Sequence, residues 1–190
     1  MKICGITREQ DALAAERCGA DAIGVVLFSD SPRCVTPAVA RRIFSAAGPF
    51  IARVAVTHTT SRTELDAILA LHPTAIQISH PFDLGEESGV LVLQVVGRGM
   101  QEFPACDAYV LDESRGSGTH YDSGFARALV SGSRIPVILA GGLTPDNVAA
   151  AIAAVRPYAV DVASGVETAP GIKDPARIQA FIHACRESGL

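Results

Sequence analysis

The stretch PVILAGGLTPDNVAAAIAAVRPYAVDVASGV, residues 136–166, holds two apolar runs, PVILA (136–140) and AVDVA (159–163). Between them, Pro145 to Val155 has the composition and boundaries of a helix. Each run passes directly into glycine, Gly141-Gly142 after the first and Ser164-Gly165 after the second. The unit reads as strand, glycine turn, helix, strand, glycine turn. Its strands are mostly apolar rather than alternating, the mark of parallel strands covered on both faces.

Working outward, the same unit recurs. Further runs are KIC (2–4), AIGVV (22–26), IARVAV (51–56), AIQIS (75–79), VLVLQVV (90–96) and AYVL (108–111). Helix signals lie between them. Thr7 is placed to cap a helix through Arg17 that Gly19 ends, and Pro37 sits in the first turn of 37–46. Ser61 is placed to cap 62–71, with Glu64 completing a capping box, and Pro175 to Glu187 forms a terminal helix. Eight strands alternating with helices predict an α/β fold, a closed (β/α)8 TIM barrel, as one domain over residues 1–190. An open doubly wound sheet is the competing arrangement. The chain is short for a barrel, and segments 80–89 and 97–107 leave room only for abbreviated helices.

Composition narrows the function. The chain has 190 residues, 48% hydrophobic and 19% charged, with a net charge of −4. That excludes a disordered tail protein and leaves no basic footprint for nucleic acid. Basic residues are scattered apart from Arg41-Arg42, and no apolar stretch approaches the roughly 20 residues that span a bilayer. Lys2 is followed by only two apolar residues before Gly5, so no signal peptide is read and a cytoplasmic location is expected. The five cysteines form no C-x-x-C pair, and no two of the five histidines are spaced i, i+4. Neither a disulfide framework nor a metal site is expected.

In a barrel, chemistry sits where strands end and loops to the next helix begin. The strand-end candidates are Cys4, FSDSPRCV (28–35), Gln77 to His80, Asp112, Gly141-Gly142 and Asp161 to Gly165. Gly141 and Gly142 read as one phosphate cradle, and Ser164 and Gly165 as a second. Glycines let backbone N–H groups approach an anion, and loops after strands seven and eight commonly form a joint phosphate site. Arg33 offers a planar fork for a carboxylate or phosphate, or is simply a solvated loop arginine. Asp112 ends AYVL as either a functional acid or a turn former. Asp161 interrupts AVDVA, so burial obliges it to find a donor. Cys4, by composition alone, is equally a small buried hydrophobe.

These residues fall in blocks with a specific likeness. KICGIT (2–7), DALAAERCGADAIGVV (11–26), SPRCV (31–35), VLD with a downstream GSG (110–118), AGGLTPDNV (140–148) and VDVASGVETAPGIKD (160–174) run in one order. Together they resemble phosphoribosylanthranilate isomerase, a tryptophan-pathway barrel. The resemblance implies an Amadori rearrangement of N-(5-phosphoribosyl)anthranilate to 1-(2-carboxyphenylamino)-1-deoxyribulose 5-phosphate. No metal or organic cofactor is implied, and the partner is a small phosphosugar substrate. It further implies Cys4 as general base, Asp112 as general acid, and Arg33 near the anthranilate carboxylate. Asp161 would orient the anthranilate part, with phosphate at Gly141, Gly142, Ser164 and Gly165. A thiol acting as a base near neutrality must be partly deprotonated, which cations such as Arg33 would favour. Three stretches depart from the family pattern. Gln77-Ile78-Ser79-His80 stands where Q-L-H-G is usual, VAVTHTT ends strand three, and Arg115-Gly116-Ser117-Gly118 replaces a glycine pair. Alternatives are an isomerase of another phosphorylated aminoaldose, or a non-catalytic phosphosugar-binding barrel.

Overall fold

In the computed structural model, residues 1–82, 84, 88–99, 105–112 and 122–190 are described. Eight parallel strands follow one another around a closed barrel. They are β1 (Lys2–Ile3), β2 (Ala22–Val26), β3 (Ala52–Thr57), β4 (Ala75–Ile78), β5 (Leu91–Val96), β6 (Ala108–Leu111), β7 (Val137–Leu139) and β8 (Ala159–Val162). Closure comes from β8 pairing with β1, in a register that sets Lys2 beside Asp161. The open-sheet alternative is thereby excluded.

Six helices are described: α1 (Glu9–Cys18), α2 (Pro37–Ala46), α3 (Arg62–Leu69), α4 (Ser123–Gly132), α5 (Val148–Val155) and α6 (Pro175–Glu187). Among the described residues no α-helix lies between β4 and β5 or between β5 and β6. Residues 83, 85–87 and 100–104 of those connections lie outside the described residues, as do Arg115-Gly116-Ser117-Gly118.

Because strand side chains alternate, the barrel has two cores. Cys4, Val26, Val54, Val56, Leu93, Val110 and Ile138 pack in the interior. Ile3, Ile23, Val25, Ala55, Ile76, Leu111, Leu139 and Val160 face the helices. This is why the strands read as continuous apolar runs. The interior also buries three polar residues, Lys2 on β1, Gln77 on β4 and Asp161 on β8.

Helix boundaries refine the sequence reading. Gly19 ends α1 in the left-handed region as expected, but the cap residue at its start is Arg8, without a side-chain cap. Thr7 instead donates its hydroxyl to the carbonyl of Gly171 at 2.6 Å. Ser61 does cap α3 through Glu64 N–H. The expected capping box stays open, because the Thr59 hydroxyl donates to Glu64 Oε2 and also accepts from Ser61 N–H. Helix α5 starts three residues later than read from Pro145, since the side chain of Asn147 organises the preceding turn. Two elements had no expectation: α4, capped by Asp122 on Phe125 N–H at 2.8 Å, and an antiparallel hairpin. The hairpin joins β9 (Glu167–Ala169) to β10 (Ile172–Lys173) through Pro170 and Gly171, the latter at φ 78°. A proline followed by a positive-φ glycine suits a tight turn.

Candidate active site

The C-terminal ends of the strands open into a cleft of about 980 Å3. Cys4, Arg33, Asp112, Gly141, Gly142, Asp161 and Ser164 all line it. Seven candidates scattered over 161 residues of sequence thus share one space. Strand geometry explains several of them. Lys2 and Cys4 alternate with Ile3, so both face inward from β1 and its end. Asp112 continues the inward set of Ala108 and Val110 on β6, and its N–H donates to Val96 at 3.3 Å.

Gly165 differs from its neighbours. It does not line the cleft, and its role in the fold is close contact. A Cβ there would lie 2.0 Å from the carbonyl oxygen of Leu143. The loops after β7 and β8 therefore touch at Gly165, which only a residue without a side chain permits. On the other loop, Gly141 and Gly142 adopt φ of 90° and 64°. Asn147 staples that loop, accepting from Thr144 N–H and donating to the Gly142 carbonyl, both at 2.8 Å.

Cys4 is buried, and the space for its sulfur comes from Gly24 on β2. A Cβ on Gly24 would stand 2.7 Å from Cys4 Sγ and 3.0 Å from Lys2 Cε. Sequence reasoning missed Gly24, though a glycine inside an apolar strand signals a close approach. Lys2 donates to Asp161 Oδ2 at 2.6 Å and to Gln77 Oε1 at 2.9 Å. Burial disfavours its charge, yet Asp161 and Cys4 more than offset this, and its pKa is raised. Asp161 so finds the donor its burial demanded, while its Oδ1 has no hydrogen-bond partner among the described residues. For Cys4 burial is the largest influence and pushes the thiol up. Lys2 and Lys173 pull the other way, and Asp161 adds to the rise. Arg33 also interacts electrostatically with Cys4, while Lys2 and Lys173 supply the charge that counteracts burial.

Arg33 is committed elsewhere. It holds Glu167 in a fork, Nε to Oε1 at 2.9 Å and Nη2 to Oε2 at 2.7 Å. Glu167 also accepts from Lys173 Nζ at 2.8 Å and from Gly171 N–H at 3.1 Å. Burial works to raise the pKa of Glu167, but hydrogen bonds from Arg33 and Lys173 outweigh it and hold it below the usual carboxylate range. Burial lowers the pKa of Lys173, against the pull of Glu167. Arg33 crosses Gly5, where a Cβ would meet its Cδ at 2.5 Å; Gly5 has φ 71°. Glycine at position 5 is thus required twice, by backbone and by neighbour. Nη1 of Arg33 has no protein partner among the described residues.

Across the mouth, Ser79 lies 2.8 Å from Nδ1 of His58 at the end of β3, and both line the cleft with His80. The two departures noted after strands three and four therefore meet as a pair. Among the described residues no group of three or more His, Cys, Asp or Glu side chains is arranged to hold a metal ion. Nor is any described helix long and apolar enough to cross a membrane.

The whole of this arrangement has relatives. Residues 1–184 match the family model for N-(5'-phosphoribosyl)anthranilate (PRA) isomerase. The chain belongs to the PRA isomerase family. It is 59% identical over 189 residues to the N-(5'-phosphoribosyl)anthranilate isomerase of Methanoregula boonei, covering 99% of this chain and 97% of that one. The Pseudomonas fluorescens enzyme of the same name is 44% identical over 207 residues, covering 98% and 95%. Among solved structures, phosphoribosyl anthranilate isomerase from Thermus thermophilus superposes with a TM-score of 0.84 at 36% identity, covering 98% of both chains. A further family structure, bound to reduced 1-(o-carboxyphenylamino)-1-deoxyribulose 5-phosphate, gives 0.81 at 33% identity, covering 98% and 97%.

Proposed function

We infer that this chain catalyses the Amadori rearrangement of N-(5'-phosphoribosyl)anthranilate to 1-(o-carboxyphenylamino)-1-deoxyribulose 5-phosphate, an isomerisation of tryptophan biosynthesis. One observation carries the assignment of roles. Around the barrel the order is β6, β7, β8, β1, so the glycine loops after β7 and β8 lie between Asp112 and Cys4. A substrate with its phosphate on Gly141, Gly142 and Ser164 has an acid on one side of its sugar and a thiol on the other. Gly165 contributes by letting the two phosphate loops meet.

Asp112 protonates the furanose ring oxygen, and the ring opens to a C1=N iminium. Cys4 as thiolate removes the C2 proton, and the C2–H electron pair moves into the C1–C2 bond to give an enolamine. Ketonisation follows, with a proton gained at C1 and one lost from the C2 hydroxyl. Acid and base groups held at the reacting atoms typically contribute about 100- to 10,000-fold each. The unpartnered Oδ1 of Asp161 is disposed to accept the anthranilate N–H, and the open Nη1 of Arg33 to donate to the anthranilate carboxylate. Residues 1–190 act in this reading as one domain, located in the cytoplasm. An isomerase of a non-aromatic aminoaldose is the second reading, separated by whether anthranilate-bearing ligands bind.

Phosphoribosylanthranilate generated in situ provides the test, followed by loss of its fluorescence. Addition of the purified chain should accelerate the loss well beyond the uncatalysed rate. No acceleration at micromolar protein would overturn the assignment.

A further inference from the structure

Lys2 takes no part in the reaction as written, yet it is a charge buried in the barrel interior, 4% exposed. It shares a strand face with Cys4, two residues away, and both side chains converge on the space left by Gly24. Asp161 and Gln77 take two of the three ammonium N–H groups, and the side chain runs beside the Cys4 sulfur, Lys2 Cε and Cys4 Sγ lying 3.0 and 2.7 Å from the same Cβ position on Gly24. The other charges facing Cys4 are differently placed. Arg33, from the loop after β2, and Lys173, from β10, are both compensated by Glu167. Asp161, from β8, opposes a thiolate, and its Oδ1 is buried without a hydrogen-bond partner among the described residues.

We propose that Lys2 is the positioning residue that makes Cys4 a base, its fixed ammonium stabilising the thiolate that accepts the C2 proton. The proposal rests on the isomerase reading given above. Lys2 stays protonated throughout; only the sulfur gains and loses a proton. When the iminium forms, its positive charge meets Asp161, and the Lys2 ammonium is left to balance the thiolate. Gly24 is the spatial condition for this coupling, since any side chain there would push the sulfur and the ammonium apart.

Alkylation of Cys4 by iodoacetamide, read on the Cys4 peptide by mass spectrometry from pH 6 to 10, measures thiolate directly. In Lys2→Met and Lys2→Gln, the midpoint should rise by about one pH unit, slowing alkylation at pH 7 about tenfold. The acid limb of kcat/KM should move up with it, while Lys2→Arg keeps both near the unmutated values. Glutamine can still hydrogen-bond to Asp161, so it covers the case in which Lys2→Met fails to fold. Should neither fold, the Lys2 Cε resonance of the intact chain takes their place and should shift on alkylation of Cys4. A midpoint unmoved in folded Lys2→Gln, or a resonance indifferent to alkylation, overturns the proposal. An inactive unmutated chain whose midpoint still follows Lys2 upholds the coupling and removes the isomerase reading. An active chain whose midpoint ignores Lys2 does the reverse.

Discussion

A methyl group on Gly24 would stand 2.7 Å from the Cys4 sulfur, too close for either to remain. Gly24→Ala is therefore expected to displace the thiol and lower turnover of phosphoribosylanthranilate about tenfold or more, with binding of the reduced product analogue little changed. Steady-state kinetics beside calorimetric titration measures both. Unaltered kcat would show that the sulfur tolerates the shift. The same residue marks the limit of sequence reading. Cys4 and Asp112 were legible as candidates because each ends an apolar run, where a barrel places its chemistry, and the family resemblance supplied their roles. Gly24 was not, because a glycine within a strand names a close approach without naming what approaches. Arg33 was legible as a fork but not its partner: Glu167 is 134 residues away, and only barrel closure and the hairpin bring them together.

At the scale of elements, the loops after β7 and β8 and the β9–β10 hairpin form one assembly around the proposed phosphate site. Asn147 holds the first loop, Gly165 lets it touch the second, and Glu167 ties the hairpin to Arg33. Asn147→Ala removes both hydrogen bonds that shape the Gly141-Gly142 turn. It should raise KM several-fold and weaken competition by inorganic phosphate, while kcat falls less; steady-state inhibition assays distinguish the two. A different outcome is expected where a helix is capped away from the cleft. Asp174 accepts from Ala176 and Arg177 N–H at the start of α6, so Asp174→Ala should cost about 1 kcal/mol of stability with turnover unchanged. Denaturant titration reads that loss. The hairpin escaped sequence reading because its strands are three and two residues long, below the length at which a period is countable. Thr7 was read as a cap for a related reason. A hydroxyl before a helix has a local use by default, and its tertiary partner Gly171 is remote in sequence.

For the whole molecule, closure follows from alternation: one face of each strand fills the interior and the other meets the helices. That double burial made eight strands readable as apolar runs, and it leaves polar interior residues with few options. Lys2 bridges Gln77 and Asp161 across the ring, and Glu167 sits between two cations. Its depressed pKa has a consequence for pH. The stabilisation from Glu167 is complete above its unfolded value, about 4.3, and is lost as pH falls through the lower folded value. Glu167→Gln should be less stable than the unmutated chain at pH 7 and lose less further stability between pH 5 and 3. Thermal melts across that window check the sign. Lys2 behaves oppositely: with a raised pKa, its contribution is present below about pH 10 and is lost only in stronger alkali.

The claim on which the account turns is that Cys4 and Asp112 perform the proton transfers while the rest of the cleft binds. Parallel measurement of turnover and of binding by reduced 1-(o-carboxyphenylamino)-1-deoxyribulose 5-phosphate in Cys4→Ser and Asp112→Asn tests it most directly. Turnover should fall by about a hundredfold or more in each variant, with analogue affinity within about tenfold of the unmutated chain. Near-normal turnover in either variant would contradict the role given to that residue.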